Sequence, residues 1–109
     1  MYLPGLYQNT TFAALSDGTR RAILERLMQG ESRLSDLAQP FDMSQTAVSK
    51  HVRVLSDAGL LIVEKRGRTR HCRLNAEPMK VATDWLIDYQ AFWMDQFANL
   101  ARHLAGEGD

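Results

Sequence analysis

The chain has 109 residues, of which 45% are hydrophobic and 24% charged, and its 13 basic and 13 acidic side chains give a formal net charge of zero. This is the composition of one globular domain, which excludes a disordered or fibrous protein, and no apolar run approaches the roughly 18 residues of a membrane span. The single cysteine, Cys72, excludes an internal disulfide and a metal cage built from cysteines alone. We therefore expect one cytoplasmic domain over residues 1–109.

The charges are unevenly distributed along the chain. Residues 44–74 carry seven basic and two acidic side chains, a local net charge of +5, so the remainder carries −5. A basic segment on an otherwise acidic body is typical of an anion-binding face, and the pI of the whole chain does not show it.

Two short amphipathic helices are predicted in the first third of the chain. The segment SDGTRRAILERLMQG opens with the N-cap candidates Ser16 and Asp17 and stops at Gly30. The next segment, SRLSDLAQPF, has apolar residues at i, i+3 and i+4 from Leu34 and is ended by Pro40.

A third helix is predicted from a cap at Ser44 to about Ala58, before Gly59. On a helical wheel its apolar side consists of Val48, Val52 and Leu55. Its other side is polar and basic. Two helices joined by a tight turn, the second polar near its N-terminus, indicate a helix-turn-helix over residues 34–58, whose second helix enters a DNA major groove.

Residues 61–74 change to the alternation of a β-hairpin, with a turn at Gly67 and Arg68. Cys72 should lie on one side of the second strand and His71 on the other. A hairpin after a recognition helix is the wing of a winged helix, and the basic end of this one suits contact with phosphates or the minor groove.

A long terminal helix is predicted over residues 76–104, capped by Asn75 and about 43 Å long at roughly 1.5 Å per residue. Its aromatic-rich stripe is longer than the other elements can cover, so we expect part of it to pack against a second copy of the chain. The predicted dimer interface consists of Phe12, Leu86, Tyr89, Trp93, Phe97 and Leu100. The predicted fold is mainly α with a small β-hairpin: a winged helix-turn-helix with a long C-terminal dimerisation helix.

The order of these elements, together with the motifs SDGTRRAILERL, LSDLAQPFDMSQTAVSKHVRVLSDAGLL and EKRGRTRHCRL, closely resembles the ArsR/SmtB family of winged-helix transcriptional regulators over residues 12–104. The resemblance implies a homodimeric repressor that binds double-stranded DNA at a pseudo-palindromic operator and is released by an effector. The predicted DNA-binding residues are Ser44, Gln45, Thr46, Ser49, Lys50 and Arg53 on the helix and Lys65, Arg66, Arg68 and Arg70 on the wing.

The effector is where the sequence departs from the metal sensors of that family. These sensors usually carry paired cysteines on the first helix of the helix-turn-helix, where this chain reads RLSDLAQ. Another family metal site uses Asp and His on the terminal helix, where Asp84 and Asp88 are present but His103 is the one histidine. Neither ligand set is complete, so we predict no metal site and no cofactor, and a small molecule or a partner protein as effector.

Three alternatives stay open at this point. The chain could be a metal- or redox-responsive repressor with an unrecognised site, such as His103 with a carboxylate of the partner chain. It could be a winged-helix protein-interaction module that does not bind DNA. A redox role for Cys72 is the third, although a buried structural thiol is favoured. No enzyme is predicted, because no nucleophile, base and stabilising group can be assembled from these residues.

Overall fold

The computed structural model of the chain describes residues 10–106. Residues 10–14 are helical, and the elements that follow are α1 (Gly18–Leu27), β1 (Ser32–Arg33), α2 (Leu34–Ala38), α3 (Gln45–Asp57), β2 (Leu61–Arg66), β3 (Thr69–Leu74) and α4 (Glu77–Leu104). The predicted class, mainly α with a small hairpin and a long last helix, is confirmed. The short strand β1 was not predicted.

The N-terminal ends of α1 and α3 are capped by side chains that were predicted as cap candidates. The Asp17 carboxylate accepts hydrogen bonds from the backbone amides of Thr19 at 2.8 Å and Arg20 at 3.2 Å. These bonds, that from the Arg20 amide first, lower the pKa of Asp17, because they stabilise the charged carboxylate. The Ser44 hydroxyl accepts from the Ala47 amide at 3.1 Å and caps α3 in the same way.

The three strands form one antiparallel sheet in the order β1-β3-β2. β1 pairs Ser32 with Cys72 and thereby joins the connection between α1 and α2 to the wing. Two residues are too few to show an alternating pattern, so this strand could not be predicted from local periodicity. The β2–β3 pair forms the predicted hairpin, and Gly67 at its turn has φ 63°, a conformation that favours glycine.

The start of α4 differs from the prediction. Ala76 occupies the N-cap position, without a side-chain cap, and Asn75 instead donates from Nδ2 to the carbonyl of Gly59 at 2.8 Å. The Asn75 amide also donates to the carbonyl of Leu60 at 3.0 Å. Pro78 in the first turn has no amide hydrogen, so this helix has one donor fewer to cap. Asn75 therefore joins the end of the wing to the end of α3.

The hydrophobic core lies between α1, α2, α3 and the base of the hairpin. Its fully buried members are Ile23, Leu37, Val48, Leu55, Leu60, Leu61 and Cys72. α4 contributes only its first turns, with Pro78 and Ala82 buried, and each residue from 83 to 106 is exposed. The radius of gyration is consequently 19.0 Å, against about 13 Å for a compact domain of this length. None of the helices between residues 10 and 106 is long and apolar enough to cross a bilayer.

Candidate nucleic-acid interface

α3 has one buried face and one outward face, as the helical wheel predicted. Val48, Val52 and Leu55 are buried against the core. The predicted DNA-binding residues of α3 lie on its outward side, where all are exposed except the half-buried Ser49. Neither Lys50 nor Arg53 has an ion-pair partner among residues 10–106.

The wing also has two faces, and they differ in charge. Directly opposed residues of two strands share one side of a sheet, so the pairs Val63–Cys72 and Lys65–Arg70 lie on one face. The pairs Ile62–Arg73, Glu64–His71 and Arg66–Thr69 lie on the other. We call the first the groove face, because Val63 and Arg70 line a surface depression together with α3, and the second the outer face.

The groove face of the wing and the outward face of α3 form a continuous surface. One depression is lined by Thr46, Ser49, Lys50, Arg53, Ser56, Val63 and Arg70. A second is lined by Arg33, Leu34, Ser35, Gln45, Ser49, Arg68, Thr69 and Arg70. Ser49 and Arg70 line both, so hydroxyl, amide and guanidinium donors run from the helix to the tip of the wing. Such donors suit phosphates and base edges.

Six residues that line this surface were not predicted, and four of them are polar: Arg33 and Ser35 beside the start of α2, Ser56 on α3 and Thr69 at the tip of the wing. Arg33 donates from Nε to the Asp36 carboxylate at 3.0 Å, and both partners are about half exposed. The positions of Arg33 and Ser35 in the sequence could have indicated these two residues, since the first helix of a helix-turn-helix crosses the DNA backbone.

The outer face of the wing is neutralised internally. Arg66 donates two hydrogen bonds to the Glu31 carboxylate, at 2.9 and 3.0 Å, and one to Glu64 at 3.1 Å. Glu64 also accepts from Arg73 at 3.3 Å. The hydrogen bond from Arg66, and then its charge, lowers the pKa of Glu64, while the two carboxylates raise the pKa of Arg66. Arg66 was predicted to contact DNA, yet it lies on the face opposite Lys65 and already has two anionic partners.

Cys72 and His71 point to opposite sides of β3, as predicted from their adjacency. The Cys72 thiol is fully buried, and that burial, followed by the charge of Glu31, raises its pKa. A buried neutral thiol is a poor nucleophile and a poor metal ligand. The His71 Nε2 lies 2.9 Å from the Thr69 hydroxyl. Within residues 10–106, no group of three His, Cys, Asp or Glu side chains is placed to hold a metal ion.

The aromatic side chains of α4 form a ladder along its exposed side. The rings of Trp85 and Tyr89 are stacked, with centroids 5.1 Å apart, and Tyr89 meets Trp93 edge-on at 5.9 Å. The ring centroid of Phe12 lies 5.9 Å from that of Trp85 at one end of this ladder, and the ring centroid of Phe97 lies 5.8 Å from that of Trp93 at the other end. The predicted interface residues of α4 are all exposed in the single chain, and Phe12 is half buried.

The comparisons with known proteins agree with this architecture. Residues 15–64 match a family model described as a helix-turn-helix domain. The chain is 35% identical to the HTH-type transcriptional regulator Rv2034 of Mycobacterium tuberculosis, over 88% of this chain and 87% of that protein. It is 30% identical to the transcriptional repressor SdpR of Bacillus subtilis, over 74% of this chain and 90% of that protein. A crystal structure of an ArsR family transcriptional regulator superposes with a TM-score of 0.77 at 39% identity, covering 86% of this chain and 97% of that one.

Proposed function

The chain belongs to the ArsR/SmtB family of DNA-binding transcriptional regulators, and from that premise we propose that it is a homodimeric repressor that binds a pseudo-palindromic operator and is released by a non-metal effector. The observation that carries the proposal is the continuous surface formed by α3 and the groove face of the wing.

The charges of this surface are available to DNA. Five basic side chains of the α3 and wing surface have no carboxylate partner among residues 10–106, namely Lys50, Arg53, Lys65, Arg68 and Arg70. An unpaired cation can exchange its counterions for a DNA phosphate without first breaking an ion pair. We therefore expect Arg66, which is paired twice, to contribute less to phosphate binding than these five.

The dimer is supported by the surface that α4 leaves uncovered. Past Ala82 the helix buries none of its residues in its own chain, yet it carries the aromatic ladder and Leu100 on one side. An apolar surface of this length on a soluble domain is typical of an interface between copies. Two copies joined through α4 would present two α3 helices, which a two-fold operator requires at a spacing of about 34 Å.

The non-metal effector is supported by the donor chemistry of the helix where metal sensors of the family bind. α2 offers one potential ligand, the Asp36 carboxylate, and that group already accepts a hydrogen bond from Arg33. Thiolates or imidazoles are the ligands that zinc and its neighbours prefer. We expect no change in DNA affinity when Zn²⁺ is titrated into the purified complex.

The test begins with selection of a duplex from a randomised library on the purified protein. Fluorescence anisotropy then compares the selected duplex with a scrambled one over a salt series. The proposal predicts a preference of about 10³-fold or more and a log-log salt slope of several units. Sedimentation equilibrium should give twice the chain mass of 12.4 kDa. Absence of salt-dependent binding to any duplex would favour a protein-interaction module instead.

A further inference from the structure

An ion pair attaches the far end of the wing to the domain body. β1 pairs with β3 only at Cys72 and His71, so residues 65–70, the distal wing, extend beyond it as a two-stranded ribbon. Such a ribbon is marginally stable on its own. Glu31, which directly precedes β1, accepts both of its hydrogen bonds from Arg66, the last residue of β2, at 2.9 and 3.0 Å. The body thus reaches the distal wing through Glu31.

The geometry of this pair suits a fixed orientation. Because the strand order is β1-β3-β2, the Glu31–Arg66 pair spans the sheet across β3. His71 lies close to the pair, with its Nδ1 4.0 Å from the Glu31 carboxylate. The Thr69 hydroxyl donates to the Arg66 carbonyl at 3.0 Å and ties the same point to the turn. Two parallel hydrogen bonds between a guanidinium and a carboxylate fix direction as well as distance.

We propose that Glu31 and Arg66 are positioning residues for DNA binding, whose ion pair holds the distal wing at the angle that brings its groove face to the DNA backbone while α3 occupies the major groove. The inference rests on the proposed function. It assigns Arg66 a place in the DNA-binding machinery that does not involve touching DNA, in agreement with its position on the outer face.

The inference predicts a change in DNA affinity opposite in sign to the change expected from net charge alone. Glu31→Gln removes a negative charge from a DNA-binding protein, and electrostatic repulsion alone would make that variant bind the duplex more tightly. If the pair orients the wing, the same change weakens binding. The expected loss is about two- to fivefold for each wing, the scale of an ion pair whose partners are about a third to a half exposed, and the dimer loses that factor twice.

The experiment is a double-mutant cycle on the intact dimer with the selected duplex. Glu31→Gln, Arg66→Gln and the double variant should each lose about the same factor, because all three lack the pair that attaches the wing to the body. The bond from Arg66 to Glu64, which Arg66→Gln also removes, lies within β2 and does not make that attachment. The salt slope should stay that of the wild type. Glu25→Gln is the matched control, since it removes one carboxylate from the exposed side of α1, and it should not weaken binding. Amide NMR spectra of the free variants should change in the wing and not in α3.

Other outcomes separate the possible errors. If Arg66 contacts a phosphate, Arg66→Gln lowers the slope by about 1.8 for two protomers and Glu31→Gln tightens binding. That result, or additive losses in the double variant, overturns this inference and leaves the proposed function intact. A wild-type protein without salt-dependent duplex binding overturns the proposed function and this inference with it.

Discussion

The division of the wing into a groove face and an outer face leads to a prediction on two arginines of the same strand. Arg70 and Arg73 both lie on β3, both are exposed, and each loses one positive charge on substitution by glutamine. Arg70 lines the surface shared with α3 and has no carboxylate partner in the described part of the chain, whereas Arg73 donates to Glu64 at 3.3 Å on the outer face. We expect Arg70→Gln to impair DNA binding and Arg73→Gln to leave it nearly unchanged.

The magnitude follows from counterion release. Each phosphate neutralised contributes about 0.9 to the log-log salt slope, so loss of Arg70 from both protomers should lower the slope by about 1.8. A slope difference of about 1.8 over a fourfold change in salt corresponds to a factor of about 12. The affinity ratio of wild type to Arg70→Gln should therefore shrink about 12-fold between about 0.05 M and about 0.2 M salt.

The assay is fluorescence anisotropy on the selected and scrambled duplexes, with circular dichroism to verify that both variants fold. A phosphate contact carries no sequence information, so Arg70→Gln should lose affinity about equally for the two duplexes. Equal slope changes for Arg70→Gln and Arg73→Gln would show that DNA affinity depends on the total charge of the protein and not on the face of the wing that carries the arginine. No change for Arg70→Gln would remove the wing from the interface.

Three further predictions concern the interface, the thiol and the cap of α1. Leu100→Glu should convert the dimer into a monomer in sedimentation equilibrium and weaken DNA binding. Ala98→Glu, on the opposite side of the helix, should leave a dimer. A monomeric Ala98→Glu variant would mean that the apolar stripe is not the dimer interface. Cys72 should not react with a disulfide reagent in the folded protein and should react fully in denaturant, because it is completely buried and its pKa is raised by that burial; rapid reaction of the native thiol would reopen a redox role. Because the pKa of Asp17 is lowered in the folded state, its contribution to stability is complete above its unfolded-state pKa near 3.8 and is lost as the pH falls through its lower folded-state pKa. Asp17→Asn should therefore flatten that part of the acid unfolding curve. An unchanged curve would show that the Asp17 cap does not titrate in this pH range.

The elements were predictable where local chemistry determines them. α3 has a capping hydroxyl at Ser44, a glycine at position 59 and an apolar face at helical spacing, and each acts within a few residues. The start of α4 was misjudged because Asn75 has a tertiary partner, the carbonyl of Gly59, that lies 16 residues away. A local signal could not reveal that competition.

The site was predictable in type and less so in detail. The basic residues of the hairpin were identified from composition, which does not distinguish its two faces. Lys65 and Arg66 are neighbours in sequence, yet the register places them on opposite sides of the sheet. Glu31, which neutralises Arg66, comes from 35 residues away, so only the fold shows which cations remain unpaired.

In the proposed dimer, the first turn of α4 would link the dimer geometry to the position of α3. Asn75 is hydrogen-bonded to the carbonyl of Gly59, directly after α3, and a Cβ added to Gly59 would lie 3.4 Å from the ring of Pro78. The C-terminal end of α3 is therefore in contact with the start of the helix that we propose as the dimer interface. The direct hydrogen bond from Asn75 to Gly59 couples the position of this helix start to the end of α3. An effector that tilts α4 in the proposed dimer would consequently move α3 as well, and a change in the distance between two α3 helices is sufficient to lose a two-fold operator.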